Sequence, residues 1–214
     1  MAGGTVAMVP FQRTNRMSPE TILPLAVFAL ISTGSPGGAT TLATASGAHF
    51  GFRRSMPLMV GIAAGLASMA AAAAAGLAGV LEAMPSLQLA MKAIGSAYLL
   101  WLAGKVATSG APRLDKDLAK PTSLLGGAWL LWCNPKAWAM TLGAAASFAA
   151  LASSPAALGV LLALAFGLAA ALSLSVWCAA GLLMARVLRT ERQWRVVNMA
   201  LGVLLALSIL PMWL

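Results

Sequence analysis

Six stretches of this sequence are long and apolar enough to cross a lipid bilayer as helices. A transmembrane helix needs about 20 mostly apolar residues to cover roughly 30 Å of hydrocarbon. Because the longest polar separator is the stretch 109–121, no separate soluble domain fits between them. The sequence therefore predicts an all-α integral membrane protein with six transmembrane helices. The predicted spans lie near residues 21–48, 56–81, 86–107, 122–150, 156–185 and 195–213.

The scarcity of charged residues leads to the same conclusion. Sixty per cent of the 214 residues are apolar and 9% are charged, whereas a soluble domain has about 25% charged residues because its surface faces water. Fourteen Lys and Arg residues with five Asp and Glu residues cannot cover a water-facing surface of this size. Most of the surface must face lipid.

Composition also argues against several classes of function. The net charge of +9 is typical of a membrane protein with basic cytoplasmic loops, and the alternation of aromatic and basic residues found in single-strand binders is absent. His49 is the one histidine, and no Cys-x-x-Cys motif occurs. Acid–base or metal chemistry in the membrane interior would need carboxylates or histidines there. We therefore predict no nucleic-acid partner, no metal, no cofactor and no enzyme activity.

Lysine and arginine are distributed unequally over alternate loops. Basic residues favour cytoplasmic loops, and in this sequence they favour the loops after the first, third and fifth spans, with Arg13 and Arg16 on the other side. This bias predicts a multi-pass protein of the cytoplasmic (inner) membrane with both termini outside the cytoplasm. The residues on the predicted cytoplasmic side are Arg53, Arg54, Lys105, Arg113, Lys116, Lys120, Arg186, Arg189, Arg192 and Arg195.

Two prolines fall near the middle of corresponding spans. Ser35-Pro36 lies in the first predicted span and Asn134-Pro135 in the fourth. Proline removes an N–H donor and its ring clashes with the carbonyl four residues earlier. Serine and asparagine are typical N-caps, and proline is typical of the first helical position. We therefore predict that helices 1 and 4 are broken at these prolines, each with a second half-helix that starts within the membrane.

Each break also frees backbone carbonyls in the membrane interior. Pro36 and Pro135 leave the carbonyls of Ser32 and Leu131 without their usual helical partners. Hydrocarbon cannot satisfy a carbonyl, so such a break is tolerated only against protein or water. A positive helix N-terminus faces an anionic group and a freed carbonyl faces a cation. An amino-acid zwitterion carries both charges.

The number of spans in each half determines how the two breaks are oriented relative to each other. Three crossings per half invert the second half of the chain relative to the first, which is the architecture of inverted-repeat transporters. The sequence therefore predicts a single transmembrane transporter domain over residues 20–214. An N-terminal tail at 1–19 precedes this domain. The domain consists of repeat one at 20–108, a linker at 109–121 and repeat two at 122–214.

Lys136 follows the second break directly. A lysine at the middle of a span costs a few kcal/mol and indicates a functional site. The sequence places no acidic residue at comparable depth, so a substrate carboxylate could serve as the counter-ion. We predict that substrate binds between the two breaks. The candidate residues are Ser32, Ser35, Pro36, Gly37, Gly38, Asn134, Pro135 and Lys136, with Lys92 and Tyr98 as secondary candidates.

A series of short motifs follows a recognisable order over most of residues 20–150. Pro36-Gly37 comes first and Asn134-Pro135-Lys136-Ala137 comes late in the series. The ordered set resembles the lysine exporter (LysE/RhtB) family of amino-acid exporters. Further matching positions are Gly51-Phe52-Arg53-Arg54, Gly61, Gly65, Lys92, Gly95, Tyr98-Leu99, Gly104 and Phe148.

The resemblance implies export of an amino acid or close analogue, driven by the membrane gradient. Two departures leave the substrate and any proton coupling open. The family usually has Pro-Gly-Pro-Asn where this chain has Pro36-Gly37-Gly38-Ala39, and often an acidic residue at the place of Leu66.

The leading hypothesis is a secondary transporter that exports an amino acid, with a small molecule and the bilayer as partners and homo-oligomerisation left open. Two alternatives come from other classes. Cys133 lies beside Pro135 and, with Cys178, could form a membrane thiol–disulfide electron carrier, which needs an accessible thiolate and a resolving partner. A non-transporting structural membrane subunit is the other, opposed only by Lys136 and the two breaks.

Overall fold

The computed structural model describes residues 19–77, 84–108, 110, 122–207, 209 and 210. In these ranges the regular structure is entirely helical, which confirms the predicted all-α class. A π-helical turn at Ala73–Leu77 follows the second helix, and a 3₁₀ turn at Ala149–Leu151 follows the fifth. The described α-helices are α1 (Pro19–Gly34), α2 (Gly38–Ala72), α3 (Pro85–Ala107), α4 (Leu124–Trp132), α5 (Pro135–Ser147), α6 (Pro155–Val187) and α7 (Glu191–Leu207).

Two of the described helical segments are long and apolar enough to cross a membrane by length and composition. They are Gly38–Gly76 and Pro155–Val187, and Ile22–Gly34 is a shorter apolar helix. The arrangement of six spans in two inverted repeats stays a prediction. The predicted tail at 1–19 and linker at 109–121 lie almost wholly outside the described residues.

The chain leaves helical geometry around both prolines. Helix α1 ends at Gly34 and α2 begins at Gly38, while α4 ends at Trp132 and α5 begins at Pro135. Asn134 is the N-cap of α5.

The expected N-cap role of Ser35 is wrong, because Gly37 is the N-cap of α2. The Ser35 N–H still donates to the carbonyl of Ile31 at 3.0 Å, so Ser35 belongs to the last turn of α1. Gly37 is fully extended, with φ 177° and ψ −173°, and the new helix starts only after it.

Helix α2 consists of two arms joined at Gly51. Gly51 has φ 76° and ψ 171°, a conformation that favours glycine because it has no Cβ. The hydroxyls of Ser46 and Ser55 are 2.7 Å apart, although nine residues of straight helix would separate them by about 13.5 Å. The chain therefore turns sharply at Gly51, within the predicted separator at residues 49–55.

Helix α6 is the central element of the bundle. It packs against both arms of α2 and against α1, while α4 packs on the second arm of α2 and α3 packs on α7. Glycines bring these backbones together. A Cβ at Gly61 would overlap the Leu124 carbonyl of α4, and a Cβ at Gly181 would overlap the Thr44 carbonyl of α2. Small residues at such contacts are typical of helix association in membranes.

A small polar cluster joins three parts of the chain at one end of the bundle. His49 Nε2 donates to Asn198 Oδ1 at 3.1 Å, and Asn198 Nδ2 donates to the Gly110 carbonyl at 3.0 Å. The His49 ring also lies 5.7 Å from the ring of Trp194. The bend of α2, the segment after α3 and the start of α7 therefore meet at the same end.

Candidate functional site

A cavity of about 40 Å³ lies between the end of α1 and the starts of α2 and α5. Its walls come from the second arm of α2, the end of α4 and helix α6. Six of the eight predicted substrate-binding residues line it. Of the other two, Pro36 directs its carbonyl toward Lys136, and Pro135 opens helix α5. The structure thus brings the two breaks together in space, and a role in binding substrate stays a prediction. The six lining residues are Ser32, Ser35, Gly37, Gly38, Asn134 and Lys136.

Lys136 connects the two breaks directly. Its Nζ donates to Ser35 Oγ at 2.8 Å and lies 3.5 Å and 3.4 Å from the carbonyl oxygens of Ser35 and Pro36. In the described part of the chain these are the hydrogen-bond partners of its ammonium, and all of them are uncharged. A lysine ammonium held only by dipoles lacks the counter-charge that would stabilise it best.

The start of helix α5 fixes where Lys136 lies. Asn134 Oδ1 accepts a hydrogen bond from the Lys136 N–H at 3.0 Å, which is the usual bond of an asparagine N-cap. The Asn134 carbonyl accepts from the N–H groups of Ala137 and Trp138 at 3.0 and 3.2 Å. The ammonium therefore stands near the positive N-terminus of its own helix, where a cation is unfavourable and an anion is favourable.

The start of helix α2 adds a second positive helix end to the cavity. Gly38, Ala39 and Thr40 of its first turn line the cavity, and Gly37 as N-cap supplies no side chain to its N–H groups. A Cβ at Gly37 would lie 3.2 Å from Lys136 Nζ, so glycine leaves room for the ammonium. One ammonium and two helix N-termini together favour an anionic group.

The two carbonyls freed by the prolines have replacement partners. Ser35 Oγ donates to the Ser32 carbonyl at 2.9 Å while accepting from Lys136. The Leu131 carbonyl accepts from the Asn134 N–H at 2.9 Å. Bonds within each break thus replace the lost helical partners, and because a carbonyl oxygen has two lone pairs, the interpretation that these carbonyls face a bound cation stays a prediction.

Helix α6 supplies the partners for the last carbonyls of α1. Ser173 Oγ donates to the Thr33 carbonyl at 2.8 Å, and Trp177 Nε1 donates to the Gly34 carbonyl at 3.1 Å. A helix end away from water needs such partners. Sequence reasoning missed Ser173 and Trp177. Their spacing of four residues puts both on one face of an otherwise apolar helix, which was the available signal.

The rest of the cavity wall is mostly apolar, and sequence reasoning missed it as well. These side chains come from the second arm of α2, the end of α4, helix α5 and helix α6. They are Ile62, Leu66, Leu131, Ala137, Met140, Ala170 and Leu174, with Ala39 and the polar Thr33 and Thr40 beside the first break.

Four further candidates come from the sequence. The side chains of Lys92 and Tyr98 lie outside the described residues. Cys133 and Cys178 are both buried and free, and no observation supports thiol–disulfide electron transfer. Among the described residues there is no group of three metal-binding side chains.

The chain matches the profile of a known protein family. The profile of the LysE type translocator family matches residues 30–208, a range that contains all the cavity residues described above. No curated protein and no solved structure matches the chain. The family consists of membrane transporters, so the match establishes a translocator in a membrane as the general class. The chain therefore belongs to the LysE type translocator family, as its ordered motifs predict.

Proposed function

We propose that this protein is a secondary transporter that exports an amino acid or a close analogue from the cytoplasm, with the cavity at Lys136 as its substrate site. The observation that carries the proposal is the position of the Lys136 ammonium, which reaches from one break to the other. Within the described part of the chain it bonds only to uncharged oxygens. A substrate carboxylate would supply the missing negative charge and form a charge-assisted hydrogen bond.

The groups around the cavity suggest how a zwitterion binds. Its carboxylate lies at Lys136 and the first turns of α2 and α5, where the electrostatic potential is positive. Its ammonium faces the carbonyl oxygens of Ser35 and Pro36, which are the acceptors that Lys136 itself approaches. The Ser32 hydroxyl also lines the cavity. Lys136 and both helix starts therefore bind the carboxylate, and the carbonyls of the first break bind the ammonium.

The packing of the helices supports two inverted repeats. Helix α1 of the first half packs on α6 of the second, and α4 of the second half packs on the second arm of α2 in the first. The second arm of α2 packs on α6, and α3 packs on α7. Each of these four contacts has a counterpart, or is its own counterpart, when the halves are exchanged. This is the pattern expected when a two-fold axis in the membrane plane relates two three-span repeats.

The polar cluster at His49 supports the proposed orientation. It joins the bend of α2, the segment after α3 and the start of α7. Those three places adjoin the basic residues of the three predicted cytoplasmic loops, for example Arg53, Lys105 and Arg192. A single end with this much positive charge faces the cytoplasm. Both termini would then lie outside, across the inner membrane.

The size of the cavity indicates that transport requires a change of shape. A volume of about 40 Å³ is small beside the roughly 300–1,000 Å³ of typical small-molecule pockets. We expect one repeat to rock against the other, so that the space between the breaks opens to each side in turn.

Efflux from proteoliposomes tests the proposal. Vesicles containing the purified protein are preloaded with labelled amino acids, and efflux is compared between wild type and Lys136→Met, which keeps the length of the side chain and removes its charge. We expect the substitution to abolish carrier-dependent efflux. The control is Lys105→Met, since Lys105 is an exposed lysine over the Trp101 ring of α3 (4.2 Å) and outside the cavity. Unchanged efflux in a folded Lys136→Met protein would remove this site from the mechanism.

A further inference from the structure

The described side chains that line the cavity carry a positive charge and no negative charge to balance it. Among the lining residues that the structure describes, Lys136 is the one with an ionisable side chain, and none is acidic. Its other polar groups are hydroxyls, an amide and backbone groups from the two breaks. The cavity can therefore neutralise one carboxylate with a full charge, but it has only dipoles to offer to a cation.

The apolar part of the wall sets a second condition. Ile62 and Leu66 are 1% and 2% exposed, and Met140 and Leu174 join them in lining the cavity. A charged or strongly polar substituent placed against these side chains would lose its water without gaining a partner. An aliphatic or thioether substituent would instead bury apolar surface there.

We infer that the site selects neutral amino acids with an apolar side chain and excludes basic ones, an inference that rests on the proposed function. A zwitterion leaves the occupied site with the single positive charge of Lys136, whereas a basic amino acid adds a second. Two like charges about 6 Å apart at an effective dielectric constant of about 20 weaken binding by about a hundredfold. Acidic amino acids would place their second carboxylate against the apolar wall.

Leu66 is the specificity-determining position in this arrangement. It lies on the second arm of α2, is buried, and lines the same cavity as Lys136. A carboxylate at this position would give the ammonium of a basic side chain the acidic partner that the wild-type wall lacks. Leu66→Glu is therefore expected to admit basic amino acids. Leu66→Gln has nearly the same shape without the charge and serves as its control.

The test uses full-length protein in proteoliposomes preloaded with leucine, methionine, lysine or glutamate. Wild type should export leucine and methionine, with lysine about a hundredfold slower. Leu66→Glu should export lysine at least about tenfold faster than Leu66→Gln does, as expected for one recovered ion pair.

The possible outcomes distinguish a failure of the selectivity from a failure of the proposed function. Export of lysine or glutamate by wild type as fast as leucine would overturn the selectivity and leave the transporter in place. Equal lysine export by Leu66→Glu and Leu66→Gln would remove Leu66 as the determinant. Failure to export any amino acid would overturn the proposed function and the selectivity with it. If Leu66→Glu does not fold, the wild-type panel still decides the selectivity.

Discussion

The end of helix α1 depends on a hydroxyl from another helix, so Ser173→Ala should destabilise the protein measurably. Ser173 Oγ donates to the Thr33 carbonyl at 2.8 Å, and Ser173 is 8% exposed. Alanine leaves that carbonyl without a partner. An unsatisfied buried backbone group costs about 1–3 kcal/mol. Because Thr33 also lines the cavity, where water could enter, we expect about 1–2 kcal/mol, in the lower part of that range.

A serine two residues further along the same helix provides the control. Ser175 Oγ donates to the Ala171 carbonyl at 2.7 Å, which lies four residues earlier in its own helix and has an N–H partner by the helical pattern. Losing this extra bond leaves no group unsatisfied. Ser175→Ala should therefore change the free energy of unfolding by no more than about 0.5 kcal/mol.

Reversible unfolding in mixed detergent micelles, followed by circular dichroism, compares the two variants with wild type. A loss of about 1–2 kcal/mol in Ser173→Ala with little change in Ser175→Ala supports the account of the helix end. Equal stability of the two variants would refute it, because the bond between helices would then contribute no more than a bond within one helix. Trp177→Phe, which removes the donor to the Gly34 carbonyl, should resemble Ser173→Ala.

Two further predictions follow from the packing and the caps. Gly61→Ala should destabilise the bundle by about 1–3 kcal/mol in the same unfolding assay, because its Cβ would overlap the Leu124 carbonyl. The control Gly143→Ala should be nearly neutral, since its added Cβ would meet no packing neighbour within 4 Å. Equal effects of the two substitutions would contradict the packing. Asn134→Ala should lower the free energy of unfolding by about 1 kcal/mol and raise the KM for efflux, because the bond from the Lys136 N–H to Asn134 Oδ1 is lost. The control Asn134→Ser should retain most of the stability and most of the affinity. A KM unchanged in Asn134→Ala would mean that the cap does not position Lys136.

Much of the architecture could be predicted from the sequence because strong local rules determine it. Hydropathy predicts helices, and Asn134 followed by Pro135 marks the start of α5. At the first break the same rule was wrong, because Ser35 and Gly37 compete to cap α2. The Ser35 side chain bonds back to the Ser32 carbonyl, and the extended Gly37 takes the N-cap position.

The rest of the site could not be predicted because it depends on which helices are neighbours. Helix α6 is apolar around most of its circumference, and although Ser173 and Trp177 mark one face, they do not indicate which helix packs against it. The contacts of Ser173 with Thr33 and of Leu66 with the cavity therefore appear only once the bundle is assembled. The family resemblance indicates the motif residues, but it does not identify the residues that support them.

The hydrogen bond between Lys136 and Ser35 has a consequence for the unloaded protein. An exporter that works without exchange returns empty after it releases its substrate, and an unpartnered ammonium would make that return slow. In the proposed exporter, the Ser35 hydroxyl and the nearby carbonyls would stabilise the ammonium during that return. We therefore expect the proposed exporter to complete its cycle without a counter-substrate, with net efflux down a gradient in addition to one-for-one exchange.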